Sequence, residues 1–131
     1  MRVTVDTNVL VRAVVRDDKR QAEAAAKLLR AADLLAVSVS SLCELVWVLR
    51  RTYAFSTTET AAALRNLIGA GNVAVDRPTI AAGLTMLDAG GDFADGVIAY
   101  EGRWLGAETF VSFDKGAVEM LRAQGQAARL L

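Results

Sequence analysis

The chain opens with VTVDTNVLV, residues 3–11, and this stretch sets the expected fold. Residues 3–6 begin with β-branched side chains and predict a short strand. Thr7 and Asn8 predict a polar turn, and the apolar run 9–15 predicts a helix. A strand that leads through a short turn into a helix is typical of a parallel α/β sheet.

The same alternation continues to the end of the chain. Apolar runs predict further strands at residues 34–39, 73–75 and 109–113, with a short last strand at 127–131. Helices are predicted between them, at about residues 17–32, 40–52, 56–69, 77–87, 92–104 and 115–123. Strands that alternate with helices predict an α/β fold with a parallel sheet and helices on both of its faces.

The length and composition predict a single domain, residues 1–131. Hydrophobic residues make up 53% of the chain, and it contains one proline and no low-complexity stretch. No apolar run is long enough to cross a bilayer, and residues 1–6 turn polar too soon for a signal peptide. The single cysteine, Cys43, suits a reducing compartment. We therefore expect a cytoplasmic protein without a membrane anchor.

The composition also excludes several classes of active site. The chain has no histidine, which rules out a histidine general base, a Ser-His-Asp triad and a histidine-ligated zinc site. Carboxylates remain as the available catalytic groups, and sites made only of oxygen ligands favour Mg²⁺ or Mn²⁺. Because 15 basic and 15 acidic residues balance, any contact with nucleic acid must be local or carried by bound cations.

Four acidic residues are candidates for one shared site, and three of them follow predicted strands. Asp6 and Asp114 stand at the ends of two strands, and Glu44 lies in the first turn of the helix after another. Ligands of open parallel sheets bind at the carboxyl ends of the strands, so we expect these three side chains to converge. Asp95 joins them if its helix begins on the same side.

Each of these acids also has a purely structural interpretation. Asp6 and Asp114 are good helix N-caps, a role worth about 1 kcal/mol. Glu44 is three residues after Ser41, and Asp95 is three residues after Asp92, as in a capping box. Capping explains each acid singly, but it does not explain the set.

The helix that carries Glu44 is apolar on both sides, which predicts burial on both sides, one of them against a second subunit. Its apolar residues are Leu42, Cys43, Leu45, Val46, Trp47, Val48 and Leu49. A buried lone carboxylate is costly unless a cation or a donor meets it, and four neighbouring carboxylates repel each other. A divalent cation resolves both problems.

Four motifs together resemble the PIN domain: Val5-Asp6-Thr7-Asn8, Ser41-Leu42-Cys43-Glu44-Leu45, Asp92-Phe93-Ala94-Asp95 and Phe110-Val111-Ser112-Phe113-Asp114-Lys115. The motifs lie between positions 5 and 115, so the resemblance covers nearly the whole chain. More narrowly, the chain is similar to the VapC toxins of bacterial and archaeal VapBC toxin–antitoxin pairs.

The resemblance implies a three-layer α/β/α fold around a central parallel sheet of four or five short strands. It implies a homodimeric endoribonuclease that depends on Mg²⁺ or Mn²⁺ and is the toxin of a type II toxin–antitoxin pair. The partner would be a VapB-like antitoxin whose C-terminal segment covers the active site. The N-terminal part of the antitoxin would bind operator DNA, so this chain would contact DNA only indirectly.

By position, the acidic quartet of the family corresponds to Asp6, Glu44, Asp95 and Asp114. Asp6 and Asp95 are expected to be the principal metal ligands, with the other two completing the shell directly or through water. A metal-activated water would then cleave an RNA phosphodiester bond.

Four more residues of the motifs would support the quartet. The hydroxyls of Thr7 and Ser112 would orient the acids or a water, Asp92 would be a peripheral fifth acid, and Asn8 completes the first motif. Ser112 stands where threonine is more common, which keeps the hydroxyl. Gly96 stands where alanine is usual, and a helical glycine costs up to about 1 kcal/mol.

Contacts with RNA are expected from basic residues near the acids. Arg12 and Arg16 lie four residues apart and would share a helix face near the active site, and Lys19 and Arg20 extend that basic region. Lys115 follows the last acid directly. The alternative interpretation is a solvated helix surface.

Three other functions remain open on the sequence. An aspartyl-phosphate phosphatase using Asp6 requires a second acid two residues later, where this chain has Asn8. A non-catalytic binding module with a retained acidic pocket is the second alternative. The third is a PIN nuclease of RNA processing that has no antitoxin.

Overall fold

The computed structural model describes all 131 residues. The chain divides into two compact units, Met1–Asp76 and Arg77–Leu131, which we call unit 1 and unit 2. No helix in either unit is both long and apolar enough to span a bilayer.

Unit 1 is built on a three-stranded parallel sheet. Its strands are β1 (Arg2–Thr4), β2 (Leu34–Ala36) and β3 (Val73–Ala74), in the order β1-β2-β3. Leu35 of the central strand lies opposite both Val3 and Val73, and it is fully buried. A continuous apolar run at the central strand is what burial on both faces of a parallel sheet requires.

Four helices complete unit 1: α1 (Thr7–Val15), α2 (Lys19–Ala31), α3 (Val39–Arg51) and α4 (Thr57–Ile68). Each begins after a side chain that caps it, and the four caps are Asp6, Asp18, Ser38 and Ser56. The core is mainly leucine from these helices and β2, and it comprises fully buried Leu10, Leu35, Leu42, Leu45, Leu49 and Leu64.

Unit 2 contains helices α5 (Arg77–Asp88), α6 (Phe93–Trp104) and α7 (Lys115–Ala123) and strands β4 (Phe110–Ser112) and β5 (Ala128–Leu130). The two strands pair in parallel, with Val111 opposite Arg129. α7 connects them and packs on both, as in a βαβ unit.

Close packing of α5 on α6 depends on two glycines. A Cβ atom at Gly96 would overlap the carbonyl oxygen of Ala82 and lie 2.8 Å from Cγ of Met86. A Cβ atom at Gly83 would lie 2.5 Å from the ring of Phe93, which is fully buried. Gly96 therefore has a packing role that its low helix propensity does not reveal.

The predicted α/β class is confirmed, and every predicted helix and strand is present. The central sheet was expected to have four or five strands, and the five short strands pair in parallel as one sheet of three and one of two. Two details differ. α3 begins at Val39 behind Ser38, three residues earlier than a cap at Ser41 requires. α1 ends at Val15, and Arg16 is its C-cap in the left-handed conformation with φ 59°, so the prediction that Arg12 and Arg16 share a helix face is wrong.

Candidate active site

Asp6 lies two residues after the end of β1 and caps α1. Its Oδ1 atom accepts a hydrogen bond from the backbone N–H of Val9 at 3.3 Å. The structural interpretation of Asp6 as a cap is therefore correct. Capping uses only one carboxylate oxygen, and Oδ2 of this exposed side chain makes no hydrogen bond within the chain.

Glu44 of α3 is held by the residue that follows Asp6. The hydroxyl of Thr7 donates a hydrogen bond to Oε2 of Glu44 at 2.7 Å, across 37 positions of sequence. The capping-box interpretation of Glu44 is wrong, because the N-cap of α3 is Ser38, whose Oγ accepts from the backbone N–H of Ser41 at 3.0 Å. Glu44 lies beyond that cap, and its partner belongs to another element.

Within this chain α3 is buried on one side only, and the expected burial of its other side against a second subunit stays a prediction. One face is buried, and it carries Leu42, Leu45, Val46 and Leu49. Glu44 is exposed, and the side chain of Trp47 is 61% exposed. The desolvation cost that we expected at Glu44 therefore does not arise from the fold of the single chain.

In unit 2, Asp114 takes the place after β4 that Asp6 has after β1. It caps α7, and its Oδ1 atom accepts from the backbone N–H of Ala117 at 3.1 Å. The hydroxyl oxygen of Ser112 accepts from the backbone N–H of Asp114 at 2.9 Å. Ser112 therefore supports the turn that presents Asp114, and Oδ2 of Asp114 has no hydrogen-bond partner in the chain.

Asp95 lies in the first turn of α6, behind the cap formed by Asp92, whose Oδ1 atom accepts from the N–H of Ala94 at 3.0 Å. Burial of the Asp95 carboxyl raises its pKa, and the negative charges of Asp92 and Asp114 raise it further. A raised pKa means that the folded protein disfavours the negative charge at Asp95. Asp92 and Asp114 are therefore both close enough to Asp95 to repel its negative charge.

Each unit contributes two acids of the predicted quartet, with Asp6 and Glu44 in unit 1 and Asp95 and Asp114 in unit 2. Neither unit by itself contains a group of three acidic or thiol side chains that could hold a metal ion. The predicted convergence of all four carboxylates stays a prediction.

The chemistry of the donor set fits a hard divalent cation. Every candidate ligand is a carboxylate, and Asp6 and Asp114 keep one oxygen outside the capping bonds. A cation beside Asp95 would offset the burial and the repulsion that together raise its pKa. Oxygen-only ligands with this charge are those that Mg²⁺ and Mn²⁺ prefer.

Asp6 also lies on the wall of a cleft of about 400 Å³ between α1 and α2. Asn8, Val9 and Arg12 line it from the side of α1, and the residues from α2 are Gln21, Ala24, Ala25 and Leu28. Half of the lining residues are aliphatic, and the carboxylate and the guanidinium both come from the side of α1. The cleft is therefore open to a ligand that also contacts Asp6.

Arg12 is engaged in an ion pair that the sequence did not indicate. Its Nη1 atom lies 2.8 Å from Oδ1 of Asp17, and the hydroxyl of Tyr53 donates to Oδ2 of Asp17 at 2.9 Å. The Tyr53 hydrogen bond and the Arg12 guanidinium lower the pKa of Asp17. No periodic pattern links these three residues, because they come from α1, the loop that follows it and the loop that follows α3.

The other two predicted RNA contacts are exposed. Arg16 makes no ion pair, and Lys115 has only a long one, with Nζ 3.9 Å from Oε1 of Glu119. Both side chains are therefore free to meet an anion, whereas Arg12 would have to share its charge with Asp17.

Comparison with known families gives one finding. The family model described as PIN domain matches residues 3–120, which include all four candidate acids. A search of curated proteins gave no match.

Proposed function

The chain belongs to the PIN domain family, whose members are generally nucleases, and on that premise we propose that it is a metal-dependent endoribonuclease. The single observation that carries this proposal is the pair Asp6 and Asp114. Each follows a parallel strand, caps the next helix with one oxygen and keeps the other oxygen without a partner. That position is where open parallel sheets bind their ligands.

Asp6 and Asp95 would be the principal ligands of Mg²⁺ or Mn²⁺, with Glu44 and Asp114 bound directly or through water. A divalent ion at these carboxylates would lower the pKa of a coordinated water and supply positive charge beside the scissile phosphate. That all four acids share one ion is proposed from their positions in the motifs. The hydrogen bonds of Thr7 and the capping bonds support it, because they fix the carboxylates in advance.

The supporting residues have distinct tasks in this proposal. Thr7 orients Glu44 through its hydrogen bond, and Ser112 holds the turn before Asp114. Asp92 adds negative charge beside Asp95, which strengthens the attraction for a cation. Asn8 presents an amide at the cleft beside Asp6, where it would contact the RNA.

For RNA binding we propose Arg16 and Lys115 as phosphate contacts, because both are exposed and weakly paired or unpaired. Arg12 lines the cleft beside Asp6. Its role would be to hold the wall of the cleft and, with part of its charge, to attract a phosphate, because Asp17 already neutralises it in part.

We propose further that the chain acts in the cytoplasm as the toxin of a toxin–antitoxin pair, as a homodimer inhibited by a VapB-like antitoxin. The motif resemblance supports this finer assignment. A small antitoxin-like reading frame next to the gene, and a complex when the two products are expressed together, are the expected observations. A gene without such a neighbour would favour a PIN nuclease of RNA processing.

The nuclease proposal is tested by incubating the pure protein with labelled total RNA in Mn²⁺ and in excess chelator. We expect cleavage only with Mn²⁺. D6N should abolish it and still fold, because asparagine caps a helix as well as aspartate does. D18N is the matched control, since Asp18 caps α2 through the same kind of bond, from the N–H of Gln21 at 3.0 Å. Cleavage by D6N, or none by the wild type, would contradict the proposal.

A further inference from the structure

The outer face of α2 carries a row of unpaired basic side chains. At 100° per residue, four cations and one acid fall within about one quarter to one third of the helix circumference. They are Lys19, Arg20, Glu23, Lys27 and Arg30, and all five are exposed. We call the four cations the basic face of α2.

None of the four cations forms an ion pair or a side-chain hydrogen bond, although Glu23 lies four residues before Lys27. This contrasts with Arg12 of α1, whose charge is taken by Asp17. The basic face is therefore a local excess of positive charge in a chain whose total charge is zero. Such an excess attracts polyanions at short range and is screened by salt.

The basic face adjoins the cleft that contains Asp6. Gln21, Ala24, Ala25 and Leu28 of α2 line that cleft. Ala24 is one of these lining residues, and on the helix surface it is the neighbour of Arg20, four residues before it, and of Lys27, three residues after it. A polymer with one phosphate at Asp6 would therefore have its adjacent phosphates next to the basic face.

We propose that the basic face of α2 binds the phosphate backbone of the RNA on one side of the cleaved bond. This inference rests on the proposed function and deepens it. Lys19 and Arg30 are separated by about 17 Å along the helix axis, so the face contacts several phosphates rather than one. Its contacts carry no base information, so they raise affinity for any RNA that extends past the cleft.

RNA is the occupant that the site favours. The basic face adjoins a cleft that contains Asp6, a candidate metal ligand, and phosphates are the anions that this metal would also bind. An anionic membrane or an acidic protein segment would contact the basic face without needing the cleft. They enter the test as competing outcomes.

The test measures binding of the full chain to a fluorescein-labelled single-stranded RNA of mixed sequence, in chelator so that no cleavage occurs. The variants K27Q and R30Q, and the two combined, remove charge from exposed positions of α2. R2Q and R51Q, singly and combined, are the matched controls, because Arg2 and Arg51 are exposed cations of the same unit on other elements.

Each lost phosphate contact should weaken binding several-fold at low salt and reduce the slope of log affinity against log salt by about 0.7. K27Q/R30Q should therefore lose about 1.4 of slope, and R2Q/R51Q nearly none. E23Q should increase the affinity, since it removes the one negative charge of the surface. Circular dichroism checks that every variant keeps the helix content of the wild type.

Equal effects of the two double variants, or an unchanged RNA affinity of K27Q/R30Q, would overturn the proposal. If K27Q/R30Q keeps its RNA affinity but loses binding to phosphatidylserine vesicles or to polyglutamate, the basic face serves a membrane or an acidic protein segment instead, and the proposal is refuted. Cleavage in Mn²⁺ separates this outcome from the fate of the nuclease proposal. If the wild type cleaves RNA and K27Q/R30Q binds RNA as tightly as the wild type, only the basic-face proposal is refuted. If the wild type does not cleave RNA and K27Q/R30Q binds RNA more weakly than the wild type, only the nuclease proposal is refuted.

Discussion

Single carboxylates at the strand ends cap helices with one oxygen and leave the other oxygen for the proposed metal. On the sequence, helix capping and metal binding compete as explanations of Asp6 and Asp114. In the structure each side chain caps through Oδ1, and Oδ2 makes no bond within the chain. The cap fixes the side chain in one rotamer, so a ligand at Oδ2 meets a carboxylate that has already lost its conformational freedom.

The hydroxyl of Thr7 should matter more than its methyl group. T7V removes the hydrogen bond to Oε2 of Glu44 and keeps the shape of the side chain, whereas T7S keeps the hydroxyl. Hydrogen bonds to charged groups contribute about 1.5–3 kcal/mol, and the exposure of this bond to solvent reduces its contribution to the lower end of that range. We therefore expect T7V to lower kcat about tenfold. T7S should stay within about threefold of the wild type. Single-turnover cleavage at saturating Mn²⁺ measures both.

A decrease shared equally by T7V and T7S would show that the methyl group packs the site and that the hydroxyl has no positioning role. The metal concentration at half-maximal rate gives a second measure. It should rise in T7V, since Glu44 without its hydrogen bond samples orientations that do not complete the metal shell.

Asp95 should be destabilising at neutral pH when no metal is present. Its pKa is raised by burial and by the charges of Asp92 and Asp114, so the folded protein binds its proton more tightly than the unfolded chain does. Stability is therefore lost as the pH rises from the pKa of Asp95 in the unfolded chain, about 4, through its higher pKa in the folded protein. We expect D95N to melt at a higher temperature than the wild type at pH 7 in chelator, and to be inactive.

Thermal unfolding at several pH values provides the control for Asp95. At about pH 3 the wild-type carboxyl is protonated in both states, so the melting temperatures of D95N and the wild type should converge. A stabilisation of D95N that persists unchanged at that pH would have another origin than charge. A D95N variant less stable than the wild type at pH 7 would contradict the prediction.

Among the elements, the α5–α6 pair is held by close approach at Gly96. Alanine raises helix propensity by about 1 kcal/mol over glycine, but its Cβ would overlap the carbonyl oxygen of Ala82 and press on Met86. Overpacking of this kind costs about 1–3 kcal/mol or more when backbone must move. Since helix propensity offsets about 1 kcal/mol of this cost, we expect G96A to lower the free energy of unfolding by up to about 2 kcal/mol.

Gly102 of the same helix is the matched control for Gly96. The nearest atom to a Cβ at Gly102 is the Cβ of Ala107 at 3.8 Å, which is an ordinary van der Waals distance. G102A should therefore gain up to about 1 kcal/mol from helix propensity. Urea unfolding of both variants measures the difference, and a G96A variant as stable as G102A would show that the helices can separate without cost.

The order of elements was predictable because each strand and helix has its own local signal, such as the capping box of Ser56 and Glu59 that begins α4. The start of α3 was not predictable in this way. Ser38, Ser41 and Glu44 are spaced by three residues, so either serine could be the N-cap. The bond from Thr7 to Glu44 links positions 37 apart, and no local pattern encodes it. From the sequence alone, Gly96 could only be interpreted as a residue that destabilises α6, because its close approach to Ala82 of α5 is a tertiary contact.

For the whole molecule, the family match and the division into units bear on the candidate site in different ways. The PIN domain model matches residues 3–120 and so includes both units. The order of the four acids could be read from the sequence, since each follows a strand or a glycine break. The distance between the pair of acids in unit 1 and the pair in unit 2 could not be predicted from the sequence, because no local pattern relates residues of one pair to residues of the other. One shared metal is therefore a property to be measured on the complete chain.

Metal binding to the complete chain should be lost by a change in either unit. If the carboxylates of both units serve one ion, Mn²⁺ raises the melting temperature of the wild type, and D6N and D114N each remove most of that increase. The double variant D6N/D114N then removes no more than either single variant, which is strong non-additivity between positions that contact the same ion. D18N controls for a changed cap and should keep the full increase. Two independent ions would instead give additive losses, with each single variant keeping about half of the increase, and that result would refute a single shared site while leaving each pair of acids as a separate metal site.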